Sequence, residues 1–124
     1  MRKAIFLDRD GVINAMVYNR EHGFIDSPSN PEQFQLLPGV GEAIRLINEM
    51  GFLALVVSNQ PGVAKGKLTL KLLDAITQKM KDELAAYDAH LDRVGEVHVH
   101  MPARCFQATV AFGLAGNIGG YRTA

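Results

Sequence analysis

Asp8 and Asp10 are where the chemistry of this chain starts. They stand two apart, directly after the apolar run Ala4-Ile5-Phe6-Leu7 and before Gly11-Val12-Ile13-Asn14. In an extended segment residues i and i+2 point the same way, so both carboxylates can face one pocket. Side by side they repel, and burial makes the repulsion worse. A divalent cation resolves this. Close oxygen ligands suit Mg²⁺, which takes one or two carboxylates plus water and substrate phosphate. A carboxylate held in that way can attack phosphorus and form an aspartyl-phosphate. The second can protonate the leaving oxygen and later take a proton from water. The plainer reading of a bare Asp-x-Asp is a solvated turn. The apolar run before it and the Gly-Val-Ile-Asn after it favour the chemical one.

The elements around this pair follow from hydrophobic pattern. A short continuous apolar run reads as a strand buried on both faces, as in parallel sheets. Open α/β sheets place their ligand sites beyond the carboxyl ends of the strands, and Gly11 allows a sharp turn there. Pro38-Gly39 opens a helix with Val40, Ala43, Ile44, Ile47 and Met50 on one apolar face, and Gly51 suits its end. Phe52 to Val57 is a second apolar run of strand length. Strand, helix, strand is a right-handed crossover, so both strands end on the same side.

The second strand runs into Ser58-Asn59-Gln60-Pro61-Gly62-Val63-Ala64-Lys65-Gly66-Lys67. A hydroxyl and an amide there can bind phosphate oxygens, and Gly62 and Gly66 leave N–H groups to cradle an anion. Alone this is an ordinary strand-to-loop turn. Beside Asp8 and Asp10 it becomes the second half of one site. Lys65 and Lys67 serve as substrate contacts or as surface charge.

Thr69 is placed to cap a helix. Its stripe Leu73, Ile76, Met80, Leu84 and Tyr87 is core, with Lys71, Asp74, Lys79, Lys81, Asp82 and Glu83 on the solvated side. A third strand is expected around Val94 to Val99. The segment Ala15 to Leu37, with Gly23, Pro28 and Pro31 and no clean period, reads as a long loop over the pocket. Its Tyr18, Arg20 and His22 can reach a phosphate or hydroxyls, or stay solvated.

Phe6-Leu7-Asp8-Arg9-Asp10-Gly11-Val12-Ile13-Asn14 resembles the first motif of the haloacid dehalogenase (HAD) superfamily of phosphohydrolases. The Asp-Arg-Asp-Gly-x-Ile-Asn form is similar to subfamily IIIA, the branch of the heptose 1,7-bisphosphate and histidinol-phosphate phosphatases. Ser58 to Gly66 resembles the second motif. The resemblance implies an α/β, Rossmann-like, three-layer parallel sheet. It implies Asp8 as nucleophile, Asp10 as acid and base, and Mg²⁺ on the Asp8 carboxylate and the Asp10 carbonyl. Arg9, Gly11, Ser58, Asn59, Gln60 and Lys65 would surround the substrate and its phosphate.

The likeness spans residues 4 to about 94, so 1–94 is expected to be the core. Residues 95–124 form a divergent tail without the third and fourth motifs, and the sheet is expected to be truncated at its C-terminal side. His98, His100 and Cys105 stand where the family binds a structural Zn²⁺. They are three donors where such a site takes four, and Val97-His98-Val99-His100 also fits a half-exposed strand. The implied activity is Mg²⁺-dependent hydrolysis of a phosphate monoester on a small metabolite, a sugar bisphosphate or histidinol phosphate. The alternatives are an inactive fragment that binds metal, phosphate or a partner, and a chain completed by a second subunit.

The whole chain bounds these readings. Its 124 residues make one domain or part of one, and 13 basic residues balance 13 acidic ones. Without a basic tract, nucleic acid is not the expected partner. No apolar run approaches the roughly 18–20 residues that span a bilayer. Met1-Arg2-Lys3 precedes only a short apolar run, unlike a signal peptide. The single Cys105 excludes an internal disulfide and fits a reducing cytoplasm.

Overall fold

The computed structural model describes residues 3–97 and 121–123. His98, His100 and Cys105, and the end of the expected third strand at Val99, lie outside the described residues. Four strands form the main sheet: β1 (Ala4–Leu7), β4 (Leu53–Asn59), β5 (Arg93–Val97) and β6 (Tyr121–Thr123), in the order β1-β4-β5-β6. β1 pairs with β4 in parallel, and β4 with β5 in parallel, as the crossover argument requires. β6 adds an antiparallel edge to β5. The sheet therefore continues past residue 94.

Between β1 and β4 lies α1 (Val40–Glu49). Gly51, at φ 80°, ends it: the Gly51 N–H donates to Asn48 O and the Phe52 N–H to Ile47 O, a glycine-closed helix end. After β4 come the single turn α2 (Pro61–Ala64) and the long α3 (Leu70–Ala85). Thr69 caps α3 by accepting the Leu72 N–H at 3.1 Å.

Ile44 of α1 and Leu73, Ile76, Met80 and Leu84 of α3 join Ala54, Val56 and Val94 in one core cluster. Both helices thus share one face of the sheet. The opposite face is more open than the apolar runs suggest. Phe6 is 53% exposed, Ala4 is exposed, and Leu53, Leu55 and Val57 are half-buried. β1 is the edge of the described sheet, which leaves one of its sides unpaired.

Three expectations about helix faces change. Ala43 of α1 and Met50 at its C-terminal cap face solvent, because the helix turns the line through Val40, Ile44 and Ile47 toward the sheet and buries Gly41 beside it. Tyr87, beyond the end of α3, is 46% exposed. Its ring lies against buried Gly41, where a Cβ would collide with it, so a glycine on α1 makes room for a tyrosine outside the core. Lys79 is not simply solvated. Its Nζ donates to Pro31 O at 2.6 Å and Phe34 O at 3.1 Å.

The segment 15–37 is also not a plain loop. It holds a hairpin of β2 (Val17–Asn19) and β3 (Phe24–Asp26), then a 3₁₀ turn at Pro31–Gln33. Three-residue strands are too short to show alternation. The turn is made locally: Asn19 accepts the Gly23 N–H on its carbonyl and the His22 N–H on its side chain, and Gly23 supplies φ 69°. Fully buried Phe34, with Lys79 on its carbonyl, anchors the segment.

Candidate active site

The strand ends of β1 and β4 carry the site. Just past β1 the backbone wraps around a single acceptor: the carbonyl of Arg9 takes the N–H groups of Val12, Ile13 and Asn14 at 3.2, 2.8 and 3.2 Å. Gly11, at φ 85°, gives the conformation that closes this turn, and buried Ile13 pins it to the core. Asp8 sits before the turn and Asp10 inside it.

The two carboxylates have different surroundings. Asp8 is open to solvent on one side and, among the described residues, accepts only the Arg9 backbone N–H, at 2.8 Å. On its other side protein crowds it. That desolvation, helped by the negative charge of Asp10, raises its pKa above the ordinary aspartate value, while the Arg9 N–H and guanidinium pull the other way. Asp10 is surrounded by donors. Arg9 Nε donates at 3.0 Å and Nη2 at 3.2 Å, Asn14 Nδ2 at 3.1 Å, and Gln60 Nε2 at 2.8 Å. The side chain of Asp10 is 13% exposed and that of Arg9 1%.

Gln60 joins the halves. Beyond Asp10 it donates to Ser58 Oγ at 2.6 Å, and both Gln60 and Ser58 are 1% exposed. Asn59 is half-buried, and its Oδ1 is buried without a hydrogen-bond partner among the described residues. Arg9 Nη1 and Asn14 Oδ1 are in the same condition. Buried polar atoms are nearly always paired, so such orphans mark places for water or a ligand group. The structure thus brings Asp8, Arg9, Asp10, Gly11, Ser58, Asn59 and Gln60 to one end of the sheet. Arg9 and Gln60 are turned inward, onto Asp10.

The loop after β4 is a weaker cradle than its glycines suggest. The Gly66 N–H is spent on Val63 O at 3.1 Å. Lys65 and Lys67 are exposed and line a cleft of about 200 Å³ with Gln60, Phe24 and Ser27. A larger cleft of about 640 Å³ joins Lys67 to the hairpin residues Tyr18, Arg20 and His22. Lys67 Nζ lies 5.9 Å from the centre of the Phe24 ring, on which His22 stacks. The sequence did not single out Asn14 or Phe24. The i+4 spacing of Asn14 from Asp10 was the available signal for the first. Phe24 lies in the hairpin that the sequence hid.

No family model matches the sequence. Individual relatives do. The D-glycero-beta-D-manno-heptose-1,7-bisphosphate 7-phosphatase of Escherichia coli K12 is 41% identical over 91 residues, 73% of this chain and 44% of the relative. That of Vibrio cholerae is 36% identical over 93 residues, 75% of this chain and 46% of the relative. The chain spans about half the length of the relatives it matches. Among solved structures, D,D-heptose 1,7-bisphosphate phosphatase from B. bronchiseptica, complexed with magnesium and phosphate, superposes with a TM-score of 0.71 at 26% identity. It covers 92% of this chain and 64% of that one. The Burkholderia thailandensis enzyme gives 0.60 at 30% identity, over 89% and 57%.

Strand order, crossover and these likenesses define the fold: over the matched stretch the chain has the α/β, HAD-like fold and resembles the phosphatases built on it. Among those phosphatases the proteins it resembles are the heptose 1,7-bisphosphate phosphatases.

Proposed function

We propose that this chain carries the nucleophile half of a phosphatase that hydrolyses a phosphate monoester on a small metabolite with Mg²⁺. A sugar bisphosphate of the heptose 1,7-bisphosphate type is the first substrate to test, and histidinol phosphate the second. One observation carries the reading: an open carboxylate at Asp8 and a clamped one at Asp10, tied to the end of β4 by the Gln60–Asp10 hydrogen bond of 2.8 Å.

Asp8 attacks phosphorus in line, forming its P–O bond as the bond to the substrate oxygen breaks. Asp10 gives that leaving oxygen a proton. In the second half it takes one from the water that cleaves the aspartyl-phosphate. Ser58 and Asn59 hold phosphoryl oxygens, and Lys65 or Lys67 adds positive charge at the rim. Crowding of the Asp8 carboxyl, which raises its pKa, is the strain that a cation would relieve. The open Asp8 carboxylate and the Asp10 carbonyl fit Mg²⁺, which needs few protein oxygens. When bound, it would supply charge against the phosphoryl oxygens. Among the described residues no group of three or more His, Cys, Asp and Glu could form a closed metal cage.

The test is turnover of p-nitrophenyl phosphate and of both candidate substrates, with and without Mg²⁺, by the chain and by Asp8→Asn. Loss of turnover by about 10³ or more is expected, since an amide is not a nucleophile here. Equal turnover in the variant sinks the assignment of Asp8. The second reading, a chain that binds Mg²⁺ and phosphate without turnover, is favoured by the donors that saturate Asp10. A proton can enter there only if one of them lets go. Saturable phosphate binding with no turnover selects that reading.

A further inference from the structure

Gln60 lies between the two halves of the site, and the direction of its hydrogen bonds can be worked out. A carboxylate paired with a guanidinium offers only acceptors, so the amide must face Asp10 with its NH₂ end. That nitrogen has two protons. One goes to Asp10 Oδ2 at 2.8 Å, and the other lies toward Ser58 Oγ at 2.6 Å. Ser58 must therefore accept, and its own O–H proton is turned elsewhere. Among the described residues Ser58 Oγ is bonded only to this amide. Glu96, the register partner of Ser58 on β5, is engaged by Thr77 Oγ1 at 3.0 Å.

We infer that Gln60 is a positioning residue: held by Asp10, it fixes the Ser58 hydroxyl as a hydrogen-bond donor to a phosphoryl oxygen at the end of β4. The inference rests on the phosphate site proposed above. It gives Gln60 a polarity role in place of direct substrate contact. A residue that merely tied β1 to β4 would be replaceable by any side chain of the same shape. One that sets polarity is not.

The experiment titrates inorganic phosphate with Mg²⁺ into the ¹⁵N-labelled chain and its variants. Gln60→Glu reverses the polarity, because a carboxylate takes the Ser58 proton and repels Asp10. It should weaken phosphate binding about tenfold or more, the usual scale for a hydrogen bond to a charged group. Gln60→Met keeps the shape and leaves the Ser58 proton free, so its loss should be clearly smaller. In a Ser58→Ala background most of the Gln60→Glu effect should vanish, since residues acting as one unit are not additive. Equal losses for Glu and Met, or additive losses in the double variant, overturn the inference.

If the parent chain binds no phosphate, the proposed function fails, and the geometry is read from the Gln60 side-chain amide instead. Its two proton resonances should both lie apart from those of exposed glutamines. Ser58→Ala should move one of them and Asp10→Asn the other. If neither moves, the inference is overturned on its own terms.

Discussion

Two connections follow one another after β1, and they are held in opposite ways. Residues 8–14 turn around one carbonyl, with Arg9, Asn14 and most of Asp10 buried among their own donors and acceptors. The hairpin that follows pairs two three-residue strands and leaves Tyr18 62% and Ile25 66% exposed. It is fixed at its base instead, where Ala15 N–H meets Gln35 O and Leu37 N–H meets Ile13 O, both at 2.9 Å. The first connection is organised before any ligand arrives. Preorganised donors act at no reorganisation cost, which is where such sites gain most of their effect. The second has few buried contacts beyond its base, which suits a segment that opens locally at little cost.

Arg9 should break that contrast most severely. Arg9→Met removes the partner with two donors from a carboxylate that is 13% exposed and leaves only two amides to satisfy it. Removing one member of a buried pair costs on the order of 3 kcal/mol. The urea midpoint should fall accordingly, and adding Asp10→Asn should recover part of the loss. A change below about 1 kcal/mol would mean that the turn is held by its backbone alone, and that the network around Asp10 serves only the ligand.

Asp8 sharpens the contrast with the opposite sign. Its pKa is raised in the fold, so from the unfolded value up to the folded one the native chain holds more protons than the unfolded chain. Stability is therefore lost as pH rises through that window, and above it the crowded charge is a fixed burden. Asp8→Asn keeps an acceptor for the Arg9 N–H and removes the charge. It should raise the melting temperature near pH 7 and leave it unchanged near pH 3. Mg²⁺ should stabilise the parent and not the variant, since a ligand stabilises only the state that binds it. A variant less stable than the parent at pH 7 would show that the Asp8 carboxylate is paid for by bonds to its neighbours.

How legible each region was in the sequence follows from the range of its contacts. The Asp8–Asn14 turn was readable because most of its bonds run between residues one to five apart, while Gln60 and Leu37 reach it from elsewhere. The parallel pairing was readable because apolar runs of strand length flank one amphipathic helix. The hairpin was not, since three residues carry no period and its anchors, Phe34 and Lys79, belong to a 3₁₀ turn and a distant helix. Nor was the inward turn of Arg9, because charge in a motif says nothing about which way a side chain faces. The openness of the Phe6 face was equally hidden: an apolar run states what a strand prefers, not whether its edge has a neighbour.

The smallest effect should come from the hairpin. Ile25 sits directly across from Tyr18, and both lie on its solvent side. Ile25→Thr keeps the β-branch that a strand favours and removes only apolar surface that is already wet. Cross-strand pairs of this kind contribute a few tenths of a kcal/mol, and exposed substitutions away from special features stay within about 0.5 kcal/mol. The urea midpoint should barely move, and the amide signals of Asp8 to Asn14 should stay in place, because the base of the hairpin is fixed by Ile13, Gln35 and Phe34 and not by its tip. A loss above about 1.5 kcal/mol would collapse the distinction between the two connections. It would mean that the Tyr18–Ile25 face is covered in solution, and sedimentation of the parent against the variant would then separate a second copy of the chain from packing within one.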